Sequence, residues 1–299
     1  MLESIISPRT AERNPWDMVV LGFAVSSLAI WIAFLLAPYI PAEQSMLSLA
    51  ITVIVLAPLL HRILVVEEEK DESEMNTSPL GFVTRHIDVI SVYAFLFVGL
   101  LASFSFWYMM LPADSNTIPS SSDTFSLQES AIVGVQQQIS GKAMSTAAEE
   151  AICEAEEAAA RAETFNRLTA NNIKVMIFCF LASFLFGAGG VWLLTWNASV
   201  WGVHIGVLAK ATFGHMGSFG AYCAGFPMYS LSLALWAIPE GLAYIVAAIA
   251  GGIVSVAVSR HHFKSERFWF TLMDAGFLLL ISFSLVIVGA YIEHFFVKV

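Results

Sequence analysis

Charged residues are scarce in this chain. Only 13% of its 299 residues are Asp, Glu, Lys or Arg, whereas a soluble domain usually carries about 25%. Hydrophobic residues make up 58%, and they fall in blocks of about twenty, which is long enough to cross a bilayer. The composition therefore predicts a polytopic membrane protein and excludes a soluble enzyme or a nucleic-acid-binding protein.

Paired cysteines and recognised catalytic motifs are also missing. The three cysteines do not have the spacing of a disulfide framework or a zinc ribbon. The sequence contains no phosphate-binding loop with Lys-Ser/Thr, no His-Glu-x-x-His and no Gly-x-Ser-x-Gly. It therefore predicts a non-enzymatic protein with no cofactor and no metal ion.

The apolar blocks predict an all-α membrane bundle with about seven crossings, with six or eight as alternatives. A straight helix over Phe226–Ser259 would overshoot the hydrocarbon core of roughly 30 Å, which predicts a break at Pro239-Glu240-Gly241. The predicted spans are Met18–Leu36, Met46–Val66, Asp88–Met110, Ile173–Trp196, a short or re-entrant Ser199–Phe213, a broken segment around Pro239, and Phe268–Phe296.

These spans divide the chain into five parts. They are an N-terminal transmembrane hairpin (1–66), an acidic cytoplasmic linker (67–87), one span (88–110), an external helical segment (111–172) and a C-terminal bundle (173–299). Basic residues precede the first span, flank the linker and crowd 260–267. By the positive-inside rule, we expect a multi-pass protein of the cell membrane with a cytoplasmic N-terminus and an external 111–172.

The net charge of −10 belongs mostly to the linker and the external segment. The acidic run Glu67–Glu74 predicts a solvated linker. In the external segment, Ile132, Val135 and Ile139 begin an amphipathic helical stripe, and 147–162 is nearly all Ala and Glu, both strong helix formers. This amphipathic arm either packs on its own bundle, self-associates, or receives other membrane or envelope proteins through 125–170.

Two charged residues, Glu240 and Lys210, fall inside apolar stretches, where ionisable groups are costly and are functional candidates by default. Glu240 either caps its own helix and pairs with Lys210 or His215, or handles an ion or a proton. Together with His204, these residues form a candidate intramembrane polar site. His204, His215 and Glu240 are metal-ligand types, but their spacing matches no recognised metal site.

Small residues recur on one face of the sixth segment. Ala243, Ala247 and Gly251 are spaced by four, and such spacing lets two helices approach closely in lipid. This face predicts tight packing within the chain, with a contact between two copies in a homo-oligomer as the alternative.

The order of the motifs along the chain resembles that of the stage II sporulation protein M family, and of its archaeal members most. The resemblance covers roughly 85–297. The matching positions are Asn171-Asn172 before the fourth span, Gly190 within it, Asn197 at its end, Gly202 just after it, Pro239-Glu240-Gly241, and Gly251-Gly252.

This resemblance implies a multi-pass protein with no established catalytic activity. The namesake acts in spore-forming bacteria as the membrane scaffold of a peptidoglycan-remodelling complex during engulfment. We therefore expect a non-enzymatic scaffold or anchor that organises envelope or membrane-remodelling partners. The alternative is a channel or transporter whose site lies at the broken helix near Pro239-Glu240, since discontinuous helices form such sites.

Overall fold

The computed structural model describes residues 8–73, 79–134, 154–260 and 266–296, and all regular structure in these ranges is helical. The helices are α1 (Pro8–Arg13), α2 (Trp16–Leu36), α3 (Gln44–Ser73), α4 (Pro79–Met110), α5 (Ser121–Thr124), α6 (described over 126–134), α7 (Glu154–Phe186), α8 (Gly190–Phe213), α9 (Gly217–Arg260) and α10 (Glu266–Phe296). A single 3-10 turn, Gly214–Met216, joins α8 to α9.

Six stretches of the described chain are long and apolar enough to cross a membrane. They are Trp16–Leu36, Gln44–Glu69, His86–Met110, Phe165–Phe186, Gly190–Arg260 and Phe268–Phe295. The fifth stretch is 71 residues long and contains two helices, α8 and α9, that fold back on each other. The prediction of an all-α membrane bundle with about seven spans is therefore confirmed.

The fourth and fifth spans begin and end at different residues from those predicted. The predicted span Ile173–Trp196 is wrong, because α7 ends at Phe186 and α8 starts at Gly190. The chain reverses at Gly187, whose φ of 67° is a conformation that glycine adopts without steric cost. The fifth segment is consequently a full-length helix of 24 residues and not the short or re-entrant Ser199–Phe213.

The predicted break at Pro239 is also wrong. Helix α9 runs without interruption through Pro227 and Pro239 and is 44 residues long, or about 66 Å at 1.5 Å per residue. The interruption lies instead at the 3-10 turn and at Gly217, whose φ is 77°. Proline is tolerated inside such a helix because neighbouring helices and local adjustments satisfy the backbone groups that it leaves free.

The helices have two common ends. Helices α2 and α4 are parallel, since Trp16 packs on Phe95 and Trp31 on Trp107, with ring centroids 4.9 and 5.7 Å apart. Because the chain reverses between successive long helices, α2, α4, α8 and α10 run in one direction and α3, α7 and α9 in the other. We call the end where α2 begins the near end and the end where α4 finishes the far end.

The predicted acidic linker 67–87 is mostly helix. Helix α3 continues through the acidic run to Ser73, and α4 starts at Pro79. The prediction of a solvated linker is wrong for Glu67 and Glu68, whose side chains are both 0% exposed. Glutamate favours helix, and these carboxylates have partners on other helices at the near end.

The predicted external segment 111–172 is not a separate arm in its first part. Phe125 is fully buried and packs edge-on against Phe104 and Tyr108 of α4. Gln44 of α3 donates a hydrogen bond to Thr124, 2.8 Å away. Residues 154–172 belong to α7, which continues into the fourth span. Of the amphipathic stripe, only Ile132 lies among the described residues, and it is buried.

Candidate functional site

Glu240 is buried in the contact between α9 and α10. Its side chain is 8% exposed, and its Oε1 accepts a hydrogen bond of 2.6 Å from the hydroxyl of Tyr244, one turn later on the same helix. Gly289 of α10 lies directly opposite, since a Cβ on it would be 3.6 Å from the Cβ of Glu240. Glu240 thus lies in the interior of α9 and does not cap a helix start, and its hydrogen-bond partner is Tyr244 and not the predicted Lys210 or His215.

Lys210 lies at the far end of the bundle, where it donates a hydrogen bond to a backbone carbonyl group at the end of α4. Its Nζ donates a hydrogen bond of 2.7 Å to the backbone carbonyl of Tyr108 and lies 4.4 Å above the ring of that tyrosine. In a continuing helix this carbonyl would accept from the amide of residue 112, but Pro112 has no N–H. Glu129 of α6 is also close enough to interact electrostatically with Lys210.

The four residues of the candidate polar site therefore have different neighbours. Glu240 faces α10, whereas Lys210 faces α4 and α6. His215 is exposed in the 3-10 turn, and His204 is partly buried in α8. In the described part of the chain, no three His, Cys, Asp or Glu side chains come together as potential metal ligands.

The asparagines of the family pattern lie inside helices. Asn171 and Asn172 are in the middle of α7, where the amide of Asn171 is 3.5 Å from Oδ1 of Asn172. Asn197 lies in α8 and donates to the carbonyl of Leu193, 2.8 Å away and one turn earlier. The predicted positions of these asparagines at the two ends of the fourth span are therefore wrong, because neither α7 nor α8 begins or ends beside them.

The glycines of the family pattern mark close approaches between helices. The amide of Gly190 donates to Ser183 Oγ at 3.0 Å, which closes the turn from α7 into α8. A Cβ on Gly202 would lie 2.7 Å from the backbone oxygen of Leu101 in α4. Gly251 lies against the backbone oxygen of Phe180 in α7, and Gly252 against Leu64 of α3. The small-residue face of α9 therefore packs within the chain.

A group of ionisable side chains joins three helices at the near end. Nδ1 of His86 on α4 lies 2.7 Å from Oε1 of Glu67 on α3, and both side chains are 0% exposed. Arg260, the last residue of α9, contacts Glu69 at 2.8 Å and Glu68 at 3.4 Å. Glu67, Glu68 and Glu69 thus join the ends of α3, α4 and α9.

In a comparison with known protein families, residues 91–298 match the family model of stage II sporulation protein M. This match covers more than two thirds of the chain and includes every glycine and asparagine of the pattern described above. Neither curated proteins nor solved structures give a match. The chain belongs to the stage II sporulation protein M family.

Proposed function

We propose that this integral membrane protein is a non-enzymatic scaffold that holds other membrane or envelope proteins at the far end of its bundle. The observation that carries the proposal is that the segment after α4, at residues 124–128, is hydrogen-bonded to other helices. Its hydrogen bonds reach two different spans, from Thr124 and Ser126 to α3 and from Gln128 to α8. Residues 135–153, outside the described part of the chain, therefore follow directly after a segment that is hydrogen-bonded to the bundle.

Two polar side chains of the candidate site support this proposal, because they are bonded to other groups of the bundle. Lys210 completes the end of α4, and Glu240 is bonded to Tyr244, so each has a structural role within the bundle. The alternative of a channel or transporter places its site at a broken helix near Pro239-Glu240, whereas α9 is continuous there. A bundle that uses its buried polar groups in its own packing, with a hydrogen-bonded segment at one end, suits a protein that positions partners.

We further propose that the near end is cytoplasmic. Arg13, Arg62 and Arg260 all lie at this end, and an excess of Lys and Arg marks cytoplasmic loops. Residues 111–134 and the C-terminal end of α10 are then on the external side. A reporter that is active only in the cytoplasm is fused after Ser73 in one variant and after Gly134 in another, and it should be active at the first position. Activity at the second position alone would reverse the orientation.

The experiment for the scaffold proposal is photocrosslinking in intact cells from positions within 135–153. We expect covalent adducts with one or a few defined proteins. The control position is Phe283, which is 46% exposed on α10 and should crosslink mainly to lipid. Adducts of the same pattern from both positions, or none from 135–153, would contradict the proposal.

A deletion variant complements the crosslinking, and the structure determines its limits. Removing 125–164 would take Phe125 and Gln128, both 0% exposed, out of the core. Replacing only 135–153 by a Gly/Ser linker of equal length leaves α5 and α6 in place. We expect this variant to keep the melting temperature of the parent protein and to lose the crosslinked partners from neighbouring positions.

A further inference from the structure

Three polar atoms inside the bundle have no hydrogen-bond partner among the described residues, although each belongs to a side chain that is 0% exposed. They are Oε1 of Gln128 on α6, Oγ1 of Thr195 on α8 and Oγ of Ser105 on α4. Buried polar groups are normally paired with protein or with ordered water, and an unpaired one is costly. Three such atoms on neighbouring helices therefore point to a common partner.

The three side chains come together around one stretch of α8. The amide Nε2 of Gln128 donates to Ser199 Oγ at 3.1 Å, and Thr195 lies one turn before Ser199 on the same helix face. Ser105 lies beside Gly202, since a Cβ on this glycine would be 3.1 Å from the Ser105 amide nitrogen. Thr195 and Gln128 thus lie beside Ser199, and Ser105 packs against α8 about one turn further along, at Gly202.

Thr195 also lines a narrow cavity between α3, α4 and α8. Its other walls are the side chain of Tyr93 and apolar side chains that include Leu60, Phe97 and Leu100. A buried water needs a polar site with room for about one water-sized sphere and two to four polar partners. The hydroxyl groups and the amide oxygen supply the partners, and the absence of a charged side chain among these groups favours a neutral molecule.

We propose that Thr195, Ser199 and Gln128 form an internal water-binding site, and that α6 is the plug that closes this site toward the far end. Ser199 lies about 21 Å from the far end of α8 at 1.5 Å per residue, so the side chain of Gln128 reaches deep into the bundle. Helix α6 contacts the bundle through the buried side chain of Ile132 and through polar groups. Ser45 and Ser126 are 3.0 Å apart, and Glu129 interacts with Lys210.

The hydrogen bonds of α6 can be exchanged for bonds to water, so α6 separates from the bundle more readily than the long apolar helices do. A neutral hydrogen bond has a small net free energy because water replaces it when it breaks. Ser130 and Val133 on the outer face of α6 are exposed. Movement of α6 toward the far end would withdraw Gln128 from Ser199 and connect the site to water on that side.

The first test uses the sign of a shift in melting temperature. In Thr195→Val, a methyl group replaces the hydroxyl at nearly constant volume. If Thr195 binds water, the variant loses hydrogen bonds and its melting temperature falls. If the hydroxyl is dry and unpaired, its removal is favourable and the melting temperature rises, which would overturn the water site. Thr52→Val is the matched control, because Thr52 is equally buried and its hydroxyl is bonded to the Ser48 carbonyl at 2.7 Å.

The second test measures access to the site. Thr195→Cys and the control Ala198→Cys introduce thiols at two positions of α8 that are both 0% exposed. Each is treated in proteoliposomes with a small, water-soluble, membrane-impermeant thiol reagent, and peptide mass spectrometry separates the new cysteine from Cys153, Cys179 and Cys223. Adding Gln128→Leu removes the bond that holds α6 to α8.

We expect Gln128→Leu to raise the modification rate at position 195 about fivefold, the change in an equilibrium that roughly 1 kcal/mol produces, and to leave the rate at position 198 unchanged. An equal change at both positions would show general loosening of the bundle and overturn the plug. No change at position 195 would overturn it as well.

Discussion

The contact between Gly251 of α9 and α7 provides a sharp test of how this bundle is packed. An added Cβ at Gly251 would overlap the backbone oxygen of Phe180 and lie 3.0 Å from the amide nitrogen of Phe184. Carbon atoms pack best at about 3.5–4.0 Å. The atoms in the way belong to the backbone of α7 and cannot turn aside, so Gly251→Ala must push the two helices apart.

The size of the effect follows from two opposing contributions. Overpacking a well-packed core usually costs about 1–3 kcal/mol, and a backbone obstacle places this site in the upper part of that range. Alanine in a helix interior gains about 1 kcal/mol over glycine. We therefore expect Gly251→Ala to lower the free energy of unfolding by about 2 kcal/mol, the difference between these two contributions.

The matched control is Gly276→Ala in α10, where no described atom lies within 4 Å of the new Cβ. Alanine favours the helix more than glycine does, and at this position its Cβ overlaps no described atom. The free energy of unfolding should therefore be unchanged or rise by up to about 1 kcal/mol. Both variants are unfolded by titrating a denaturing detergent into mixed micelles, with far-ultraviolet circular dichroism as the signal. If Gly251→Ala proves as stable as Gly276→Ala, the inferred backbone contact between α7 and α9 is wrong.

Two hydrogen bonds give further predictions in the same assay. Lys210→Met leaves the carbonyl at the end of α4 without its donor and should cost about 1–3 kcal/mol, whereas the exposed control Lys174→Met should change stability by no more than about 0.5 kcal/mol. Tyr244→Phe removes the donor to the buried Glu240 carboxyl and should also cost about 1–3 kcal/mol. Tyr291→Phe on the exposed side of α10 is its control, and equal effects within either pair would contradict the assigned bond.

Hydropathy was sufficient to predict the helical class and the positions of most spans, because twenty consecutive apolar residues have few alternatives to a membrane helix. It could not locate the reversal at Gly187, since the residues on both sides are equally apolar. The local signal was the cluster Gly187 to Gly190, where glycine permits a positive φ. Hydropathy windows average over such a turn, and only its glycine content distinguishes it from a continuing span.

The polar residues were harder to interpret because their partners are distant in the sequence. Glu68 meets Arg260 across a separation of 192 residues, and Lys210 meets Tyr108 across 102. A run of acids therefore looked like a solvated linker, although two of its members are buried. Polar residues of α6 are typical of a water-facing helix, and only the structure shows that Ser126, Gln128 and Glu129 face polar groups on other spans.

Close glycine contacts occur mainly between helices that run in the same direction. Gly22 of α2 lies against the Leu96 oxygen of α4, Gly99 of α4 against the Val19 oxygen, and Gly251 against the Phe180 oxygen. In each case the glycine backbone faces a carbonyl oxygen, the arrangement of a weak Cα–H···O hydrogen bond. Parallel helices cannot be joined by a short loop, so their contact depends on packing alone, and lipid provides no hydrophobic force to drive it. Glycines at these positions let the backbones touch, which explains how spans far apart in the chain are held as neighbours.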